Sequence, residues 1–320
     1  MKKVVCFLIL CILFFAVLPV DFANANLNES NVVAFKGKGS KSNPYLIERK
    51  EDLINLSLSV ESGKEYKNNY FKQTADIDLT GVNFKPIGQF GKGSYFKGIY
   101  NGHGFRILNI NIEDDGKNNG LFGYLEGIVI NLGLEGGYIG GSCVGSIASH
   151  GSDKAKIVNC YSTVFVYGSA RAGGLADNFG GIIVNSFYFN KKCDAPLCSY
   201  NALNIAYCFS TYAIISDNIN LSTIECRVVE ECDFVKKLND NIYVSATIAD
   251  ISFKEFKSFE KFNNGIRFTT NNQKFHLKDK IKTELNVYGF KHFRNLILII
   301  CSFGVLTAVI FRIKNKEITF

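Results

Sequence analysis

Several residue types are scarce in this 320-residue sequence, which contains no tryptophan, one methionine, four prolines and four histidines. None of the histidines is followed by glutamate, so a zinc protease of the HExxH type is excluded. His103 and His150 lie in glycine-containing stretches and are predicted to be exposed turn residues. The sequence also lacks the GxSxG motif of serine hydrolases. Few prolines beside 28 Phe and 15 Tyr argue against a disordered chain, since the aromatic residues supply enough apolar surface for a packed core.

The formal net charge of +7 belongs mostly to the two ends of the chain. Two lysines precede the first apolar run, and five basic residues occur from position 291 onward. Residues 26–290 therefore hold 29 basic against 27 acidic residues. This near balance argues against a nucleic-acid partner, because such proteins carry a clear basic surplus.

Both ends carry apolar runs that are typical of membrane targeting. Two lysines, an apolar run over residues 4–18 and an Ala-Asn-Ala site predict a secretory signal peptide over residues 1–25. A second run, 296–311, has basic flanks and predicts a transmembrane helix over residues 291–312, followed by a cytoplasmic tail over residues 313–320. An uncleaved N-terminal anchor and a buried C-terminal helix are the alternatives. The prediction is an exported protein anchored in the cytoplasmic membrane by a single C-terminal span, with its N-terminal part outside.

The middle of the chain repeats. Four hydrophobic segments align with an asparagine at position 109, 131, 159 or 185, and a fifth, weaker copy has Tyr207 there. Glycine clusters separate the copies, and apolar residues alternate around each asparagine without an amphipathic helix in between. Short strands at such spacing stack coil on coil. The predicted fold class is all-β: a parallel, right-handed β-helix-like β-solenoid over residues 26–240, with one C-terminal transmembrane helix.

Residues 241–290 carry no repeat. Two stretches within them, 242–248 and 265–270, are strand-like, and the segments around them are basic and rich in phenylalanine. We therefore predict a C-terminal cap of one or two strands followed by a juxtamembrane stem.

An ordered series of short motifs resembles the GLUG-motif repeats of bacterial surface proteins, which include adhesin-like solenoids and the non-catalytic part of some IgA-specific metalloproteases. The resemblance covers about residues 37–240. It implies export, a β-solenoid fold and, often, adhesion or surface display, but no single ligand. Its motifs are Gly39-Ser40, NPYLI from Asn43, DIDL from Asp76, PIG from Pro86, Asn101-Gly102, the glycine clusters and the segment from Phe234 to Asn239.

The candidate ligand-binding residues are aromatic and amide side chains at or beside the asparagine position. Exposed rings stack on sugars, and amides bind hydroxyl groups. The predicted function is thus adhesion or ligand binding, with a cell-surface glycan or protein as partner. The alternative places these residues in the core or in ladders of the solenoid. The candidates are Tyr161, Phe187, Tyr207, Asn159 and Asn185.

No catalytic site and no cofactor are predicted, but two other functions stay open. Asp76 and Asp78 are two residues apart, so in a strand they share a face, where they would form the acidic groove of a polysaccharide lyase or glycosidase or a weak Ca²⁺ site. A turn or ladder role is the alternative for both. The third hypothesis is an inert structural spacer.

The exported part contains seven cysteines. Cys160 and Cys208 each follow the asparagine position by one residue and are predicted to be buried thiols. Cys143 is left unpaired. The other four form two closely spaced pairs, which predict local or crossed disulfides, with a four-cysteine zinc site as the alternative. They are Cys193, Cys198, Cys226 and Cys232.

Overall fold

The protein is described from a computed structural model. It describes residues 34–114, 117–190, 195, 197–200, 204–210, 222–224, 227–228, 234–262 and 265–269. The predicted signal peptide, transmembrane helix and cytoplasmic tail lie outside these ranges. Within them, no helix has the length and apolar character needed to cross a membrane.

Short strands dominate the described residues. In chain order they are β1 (Tyr45–Ile47), β2 (Tyr70–Gln73), β3 (Ile77–Asp78), β4 (Ile99–Asn101), β5 (Arg106–Glu113), β6 (Asn118–Asn119), β7 (Phe122–Leu125), β8 (Ile128–Ile130), β9 (Gly133–Gly145), β10 (Ala148–Gly151), β11 (Lys156–Val158), β12 (Tyr161–Ser162), β13 (Phe165–Gly173), β14 (Ala176–Phe179), β15 (Ile182–Val184), β16 (Phe187–Tyr188), β17 (Cys198–Tyr200), β18 (Asn204–Ala206), β19 (Phe209–Ser210), β20 (Ser222–Ile224), β21 (Arg227–Val228), β22 (Phe259–Phe262) and β23 (Gly265–Phe268). The helices are α1 (Lys50–Glu61), α2 (Phe234–Asp240) and α3 (Ile242–Ala249), with a 3₁₀ turn at Phe253–Glu255.

The strands β1 to β21 build three parallel sheets that wind around one core. Sheet A has the order β1-β2-β4-β8-β11-β15-β18-β20, sheet B the order β3-β5-β9-β12-β16-β19-β21 with β6 and β13 beside β9, and sheet C the order β7-β10-β14-β17. Successive coils pair in parallel, as in β8 with β11 and β11 with β15. From β7 onward each coil passes from sheet C to sheet A and then to sheet B. The predicted parallel β-solenoid is confirmed.

Apolar residues at equivalent positions of each coil form the core. In sheet A, Val129, Ile157, Ile183 and Ile205 are opposite one another in register and fully buried. A single coil cannot bury such side chains, whereas each burial in the stack contributes about 1.5–3 kcal/mol. The repeated hydrophobic pattern is therefore satisfied only by stacking.

Glycine is required where the chain turns from sheet B to sheet C. A Cβ atom at Gly145 would lie 2.2 Å from the carbonyl oxygen of Ala148, and one at Gly173 would lie 1.6 Å from that of Ala176. No side chain fits such contacts, which explains these glycine clusters.

One part of the predicted repeat alignment is wrong. Asn131, Asn159 and Asn185 do share a column at the corner between sheets A and B, which we call the asparagine corner, because Ile130, Val158 and Val184 before them are in register. Asn109 lies in another column: its neighbour Leu108 pairs with Glu135, not with Ile130. Both positions have a left-handed backbone, which favours asparagine and makes the two motifs look alike in sequence.

Helix α1 packs at the N-terminal end of the solenoid. Leu53, Leu56 and Val60 are fully buried in the main core, a spacing that places them on one helix face. The Asp52 carboxylate accepts a hydrogen bond from the backbone N–H of Arg49 (3.1 Å) and stabilises the first turn. This helix covers apolar side chains that the first coil would otherwise expose.

A C-terminal segment, residues 234–262 and 265–269, packs along the side of the solenoid. Its helix α3 buries Ile242 and Ala246 against the outer apolar side chains of sheet A, among them Val158 and Val184. The antiparallel pair β22–β23 buries Phe259 and Phe268 in a second cluster on sheet B. These contacts therefore cover part of the outer face of the two sheets.

This packing corrects two predictions for residues 241–290. The stretch 242–248 forms helix α3 instead of a strand, because one helix face fits the outer row of sheet A. The strand predicted from residue 265 is confirmed as β23. The described part of the predicted stem is not a free stem, since it packs against the solenoid; residues 271–290 lie outside the described residues.

Candidate functional site

The aromatic residues predicted to bind ligand are buried beneath the C-terminal segment. Tyr161 and Phe187 are 0% and 2% exposed, and their rings stack with centroids 5.0 Å apart. Phe259 packs edge-on against Phe187 at 5.6 Å, and Tyr207 packs against the cluster around α3. The prediction of a ligand-binding surface at these rings is corrected: Tyr161 and Phe187 form an internal stack and Tyr207 is partly buried, because the C-terminal segment occupies that face.

The amides of the asparagine corner bind one another and the C-terminal segment. Asn159 Nδ2 donates to Asn131 Oδ1 (2.7 Å) and to the Lys257 carbonyl (2.9 Å), and Asn185 Nδ2 donates to Asn159 Oδ1 (2.7 Å). Asn185 Oδ1 has no partner among the described residues, because the next coil places Tyr207 there. Asn159 and Asn185 are fully buried. The predicted amide contacts to a ligand are therefore replaced by a structural ladder.

The two carboxylates of the predicted acidic groove have separate partners. Asp76 accepts hydrogen bonds from Arg106 Nη2 (2.6 Å) and Nε (3.1 Å), and Asp78 accepts from Thr80 Oγ1 (2.6 Å) and Asn109 Nδ2 (3.1 Å). The bonds from Thr80 and Asn109 lower the pKa of Asp78. A general acid requires the opposite shift, so the geometry does not favour acid catalysis by this pair. Across the described ranges, no three or more His, Cys, Asp or Glu side chains form a group able to hold a metal.

Among the described cysteines, Cys143, Cys160 and Cys198 are free thiols. Cys160 and Cys208 are buried, which confirms the prediction, and Cys143 is partly exposed. Cys198 is also buried and free, with its Sγ 2.9 Å from the Asp177 carbonyl oxygen, so the disulfide predicted at Cys198 is not present. Burial raises the pKa of the Cys198 thiol to about 12. The remaining candidates, Cys193, Cys226 and Cys232, lie outside the described residues.

Sheet C presents a row of aromatic and polar side chains on a face that the C-terminal segment leaves open. We call this row the outer column; it consists of Tyr95, Tyr124, His150, Asn178 and Tyr200. Its members from β7, β10, β14 and β17 are opposite one another in register. Tyr95 lies beside Tyr124 in the preceding coil, with ring centroids 4.4 Å apart. At about 4.8 Å per coil, the five positions span about 19 Å.

Phe90 covers the middle of the outer column. It lies in a tight turn closed by the bridge between Gln89 and Ser94 and stacks on His150 (4.5 Å between centroids) and on Tyr124 (5.6 Å). Phe90 itself is 50% exposed, while His150 beneath it is 6% exposed. The prediction of His150 as an exposed turn residue is wrong, because it lies in strand β10 under this ring. Burial lowers the pKa of His150, so the imidazole is uncharged at neutral pH.

The far end of the outer column is more polar. Asn178 is partly exposed, and its amide makes no hydrogen bond to the described part of the chain. Tyr200 is 43% exposed, and the Arg171 guanidinium lies over its ring at 4.8 Å from the centroid. Arg171 Nε and Nη2 donate to the Asp177 carboxylate at 3.0 and 3.1 Å.

The column suits binding better than catalysis. Flat, uncharged rings bind apolar faces of a ligand, and a solvent-accessible amide binds hydroxyl groups. Ser149 Oγ lies 3.0 Å from His150 Nδ1, but the Ser149 hydroxyl is buried and donates to the Cys143 carbonyl (2.8 Å). It is therefore not presented to a substrate as a nucleophile.

Sequence reasoning missed the outer column because its members share no residue type. Tyr124, His150 and Asn178 follow glycine clusters but Tyr200 does not, so only the strand register aligns all four. The sequence signal that could have revealed the column is a polar or aromatic residue that recurs in each coil between buried positions, as Tyr124 does between Phe122 and Leu125.

Comparisons with known proteins find relatives of the chain without showing a family. No family model matches the chain. A protein described as a Gly-rich membrane protein from Evansella cellulosilytica is 37% identical over 139 residues, which are 41% of this chain and 15% of that protein. Halomucin from Haloquadratum walsbyi is 31% identical over 191 residues, 54% of this chain and 2% of halomucin. The chain thus spans a small part of the length of both relatives.

Among solved structures, a chain described as an immunoglobulin A1 protease from Bacteroides ovatus matches with a TM-score of 0.38 and 18% identity, covering 59% of this chain and 76% of that chain.

Proposed function

We propose that this protein is an exported, membrane-anchored β-solenoid that acts at a cell surface in adhesion or ligand binding and catalyses no reaction. The outer column carries the proposal, because it places partly exposed rings and an amide without a hydrogen bond to the described residues in register on one face. The predicted signal peptide and C-terminal span support export and anchoring. The motif series that resembles GLUG repeats and the name of the Gly-rich membrane relative agree with display at a membrane.

A glycan is the proposed ligand. A stable protein interface needs roughly 800 Å² on each partner. The outer column is a single row of side chains about 19 Å long, which is too narrow to supply such an area. Phe90, which is half exposed and stacks on Tyr124 and His150, offers a flat apolar face, and the Asn178 amide offers a donor and an acceptor for hydroxyl groups. An extended sugar chain presents the same alternation of flat apolar faces and hydroxyl groups.

The test is a glycan-binding screen of the purified chain, repeated with Tyr124→Ala. Loss of one stacking ring removes about 1.4 kcal/mol, so binding to the selected glycan weakens about tenfold. Tyr243→Ala is the matched control, because Tyr243 is 50% exposed on the C-terminal segment, away from sheet C. The Tyr243→Ala variant is expected to bind the selected glycan with the affinity of the unchanged chain.

Two results would overturn the proposal. Either no glycan of a broad panel binds, or the binding that is found weakens equally in Tyr124→Ala and in Tyr243→Ala. Cleavage of a bound glycan that disappears in Asp76→Asn would favour the enzyme alternative, and adhesion that survives removal of the solenoid would favour the spacer.

A further inference from the structure

We infer that the ligand of the outer column is an acidic glycan whose carboxylate is bound by Arg171 at the Tyr200 end of the column. This inference rests on the proposed function, since it assigns a ligand class to the same site. It follows from the way Arg171 is held, from the donors that it leaves open and from the charges along the column.

Arg171 is held in a fixed orientation by a buried acid. Its Nε and Nη2 atoms donate to the two carboxylate oxygens of Asp177, whose side chain is 0% exposed. Asp177 also accepts a hydrogen bond from the Ser199 hydroxyl, which holds the carboxylate in turn. A guanidinium positioned in this way loses little conformational entropy when it binds a second anion.

The opposite edge of the Arg171 guanidinium remains available. Arginine has five N–H donors, and Asp177 occupies two of them, one on Nε and one on Nη2. The remaining three include one hydrogen on Nη2 and two on Nη1, which form the end of the fork that binds a carboxylate in a bidentate manner. The Arg171 side chain is 37% exposed, and among the described residues its guanidinium makes no further hydrogen bond beyond the two to Asp177.

The position of Arg171 joins the carboxylate site to the stacking surface. The guanidinium lies over the Tyr200 ring, and Asn178 precedes Tyr200 in the column. A sugar ring stacked beside Tyr200 therefore brings a ring carboxylate towards Arg171, and its hydroxyl groups towards the Asn178 amide.

The other end of the column disfavours an acidic group. The pKa of the Tyr124 hydroxyl is raised by burial of its ring and, to a smaller extent, by the carboxylates of Glu126 and Asp153, which lie near it. Lys97 balances only part of this charge, since it lies 3.5 Å from Glu126 and 2.8 Å from Glu65. An anionic group is thus favoured at the Tyr200 end and disfavoured at the Tyr124 end.

The experiment compares acidic polymers with their neutral counterparts. Polygalacturonate, alginate and hyaluronan are each titrated with the purified full chain, beside the same polymer after reduction of its carboxylates to alcohols. We expect at least one acidic polymer to bind about fivefold more tightly than its reduced form, the effect of one exposed ion pair, and this difference to shrink at high ionic strength.

The double variant Arg171→Gln/Asp177→Asn removes the charge without leaving an unpaired buried carboxylate. It is expected to lower the affinity for the acidic polymer to that of the reduced one, and to leave the affinity for the reduced polymer unchanged. Arg171→Lys, which keeps a positive charge, is expected to retain part of the preference.

Each contrary outcome has a distinct meaning. Equal affinity for acidic and reduced polymers, still weakened by Tyr124→Ala, overturns the inference and leaves the proposed function standing. A double variant that weakens both forms equally assigns Arg171 only to the positioning of Tyr200, which also overturns the inference. If neither form of any polymer binds and the glycan screen is empty, both the inference and the proposed function fail.

Discussion

Replacing Asn159 tests how the asparagine corner stabilises the solenoid together with its C-terminal segment. The buried side chain makes three hydrogen bonds, which join it to Asn131, Asn185 and the carbonyl of Lys257 at 2.7 to 2.9 Å. Its backbone φ of 52° is left-handed, a conformation that asparagine tolerates better than alanine. The side chain therefore stabilises both the corner and the contact with the C-terminal segment.

The magnitude follows from these two roles. Asn159→Gly removes three hydrogen bonds at about 1 kcal/mol each and adds a small cost for the more flexible unfolded chain, so the free energy of unfolding falls by about 3–4 kcal/mol. Asn159→Ala loses the same bonds and also strains the left-handed backbone, which lowers the free energy by about 1 kcal/mol more than the glycine variant.

Urea unfolding followed by circular dichroism measures the free energy of unfolding of both variants. An unchanged slope of this free energy against urea concentration indicates that only the stability has changed. Asn178→Ala is the matched control, because this asparagine is partly exposed and its amide makes no hydrogen bond to the described residues. Its free energy of unfolding stays within about 0.5 kcal/mol of the unchanged chain. An alanine variant at Asn159 that loses less than about 1 kcal/mol, or that is as stable as the glycine variant, would refute the reasoning.

Two further predictions concern titration and reactivity. Burial and the charges of Lys257 and Lys72 lower the pKa of His103 to about 4, so between about pH 6.5 and 4 the unfolded chain binds a proton that the folded chain does not. The free energy of unfolding therefore falls as the pH is lowered through this window. The variant His103→Asn removes this titrating group, and asparagine tolerates the left-handed φ of 54° at this position. We expect urea unfolding to show a decrease between pH 7 and 4.5 that is smaller by about 1–2 kcal/mol in the variant, after allowance for solvent screening. An unchanged fall would contradict the assignment to His103. Thiol labelling followed by mass spectrometry is expected to modify the partly exposed Cys143 slowly at pH 7 and faster at pH 9, because burial raises the pKa of its thiol. The buried Cys160 is expected to stay unmodified. Equal labelling rates of Cys143 and Cys160 would contradict the burial of Cys160.

Much of the solenoid is readable from local patterns. Val129, Ile157 and Ile183 recur two residues before an asparagine, and the parallel stacking of the coils buries all three. The pattern failed at Asn109, because a left-handed asparagine in a different column produces the same local signature. Register between distant segments is set by side-chain packing, which a local alignment does not contain.

The burial of the Cys160 thiol was predicted correctly, because it follows from the local alternation of inward and outward positions along a strand. Helix α3 was not predicted, because the β-branched stretch that begins at Ile242 favours a strand by composition. Tertiary packing on Val158 and Val184 overrode that preference.

The sequence by itself determined the recurring short strands, the glycine turns between them and the inward position of residues such as Cys160, because these depend on neighbours within one coil or one repeat. Only the tertiary structure decided which outer face is open. Asn159 and Lys257, 98 residues apart in the chain, are joined where the C-terminal segment covers the face that carries Tyr161. Within the described residues, the same segment leaves the outer face of sheet C open, where Phe90 is half exposed. Whether an outward ring is buried or part of a binding surface thus depends on a contact between segments that are distant in the chain. This contact is stabilised by the apolar area that the two segments bury together, which the local pattern of either segment does not predict.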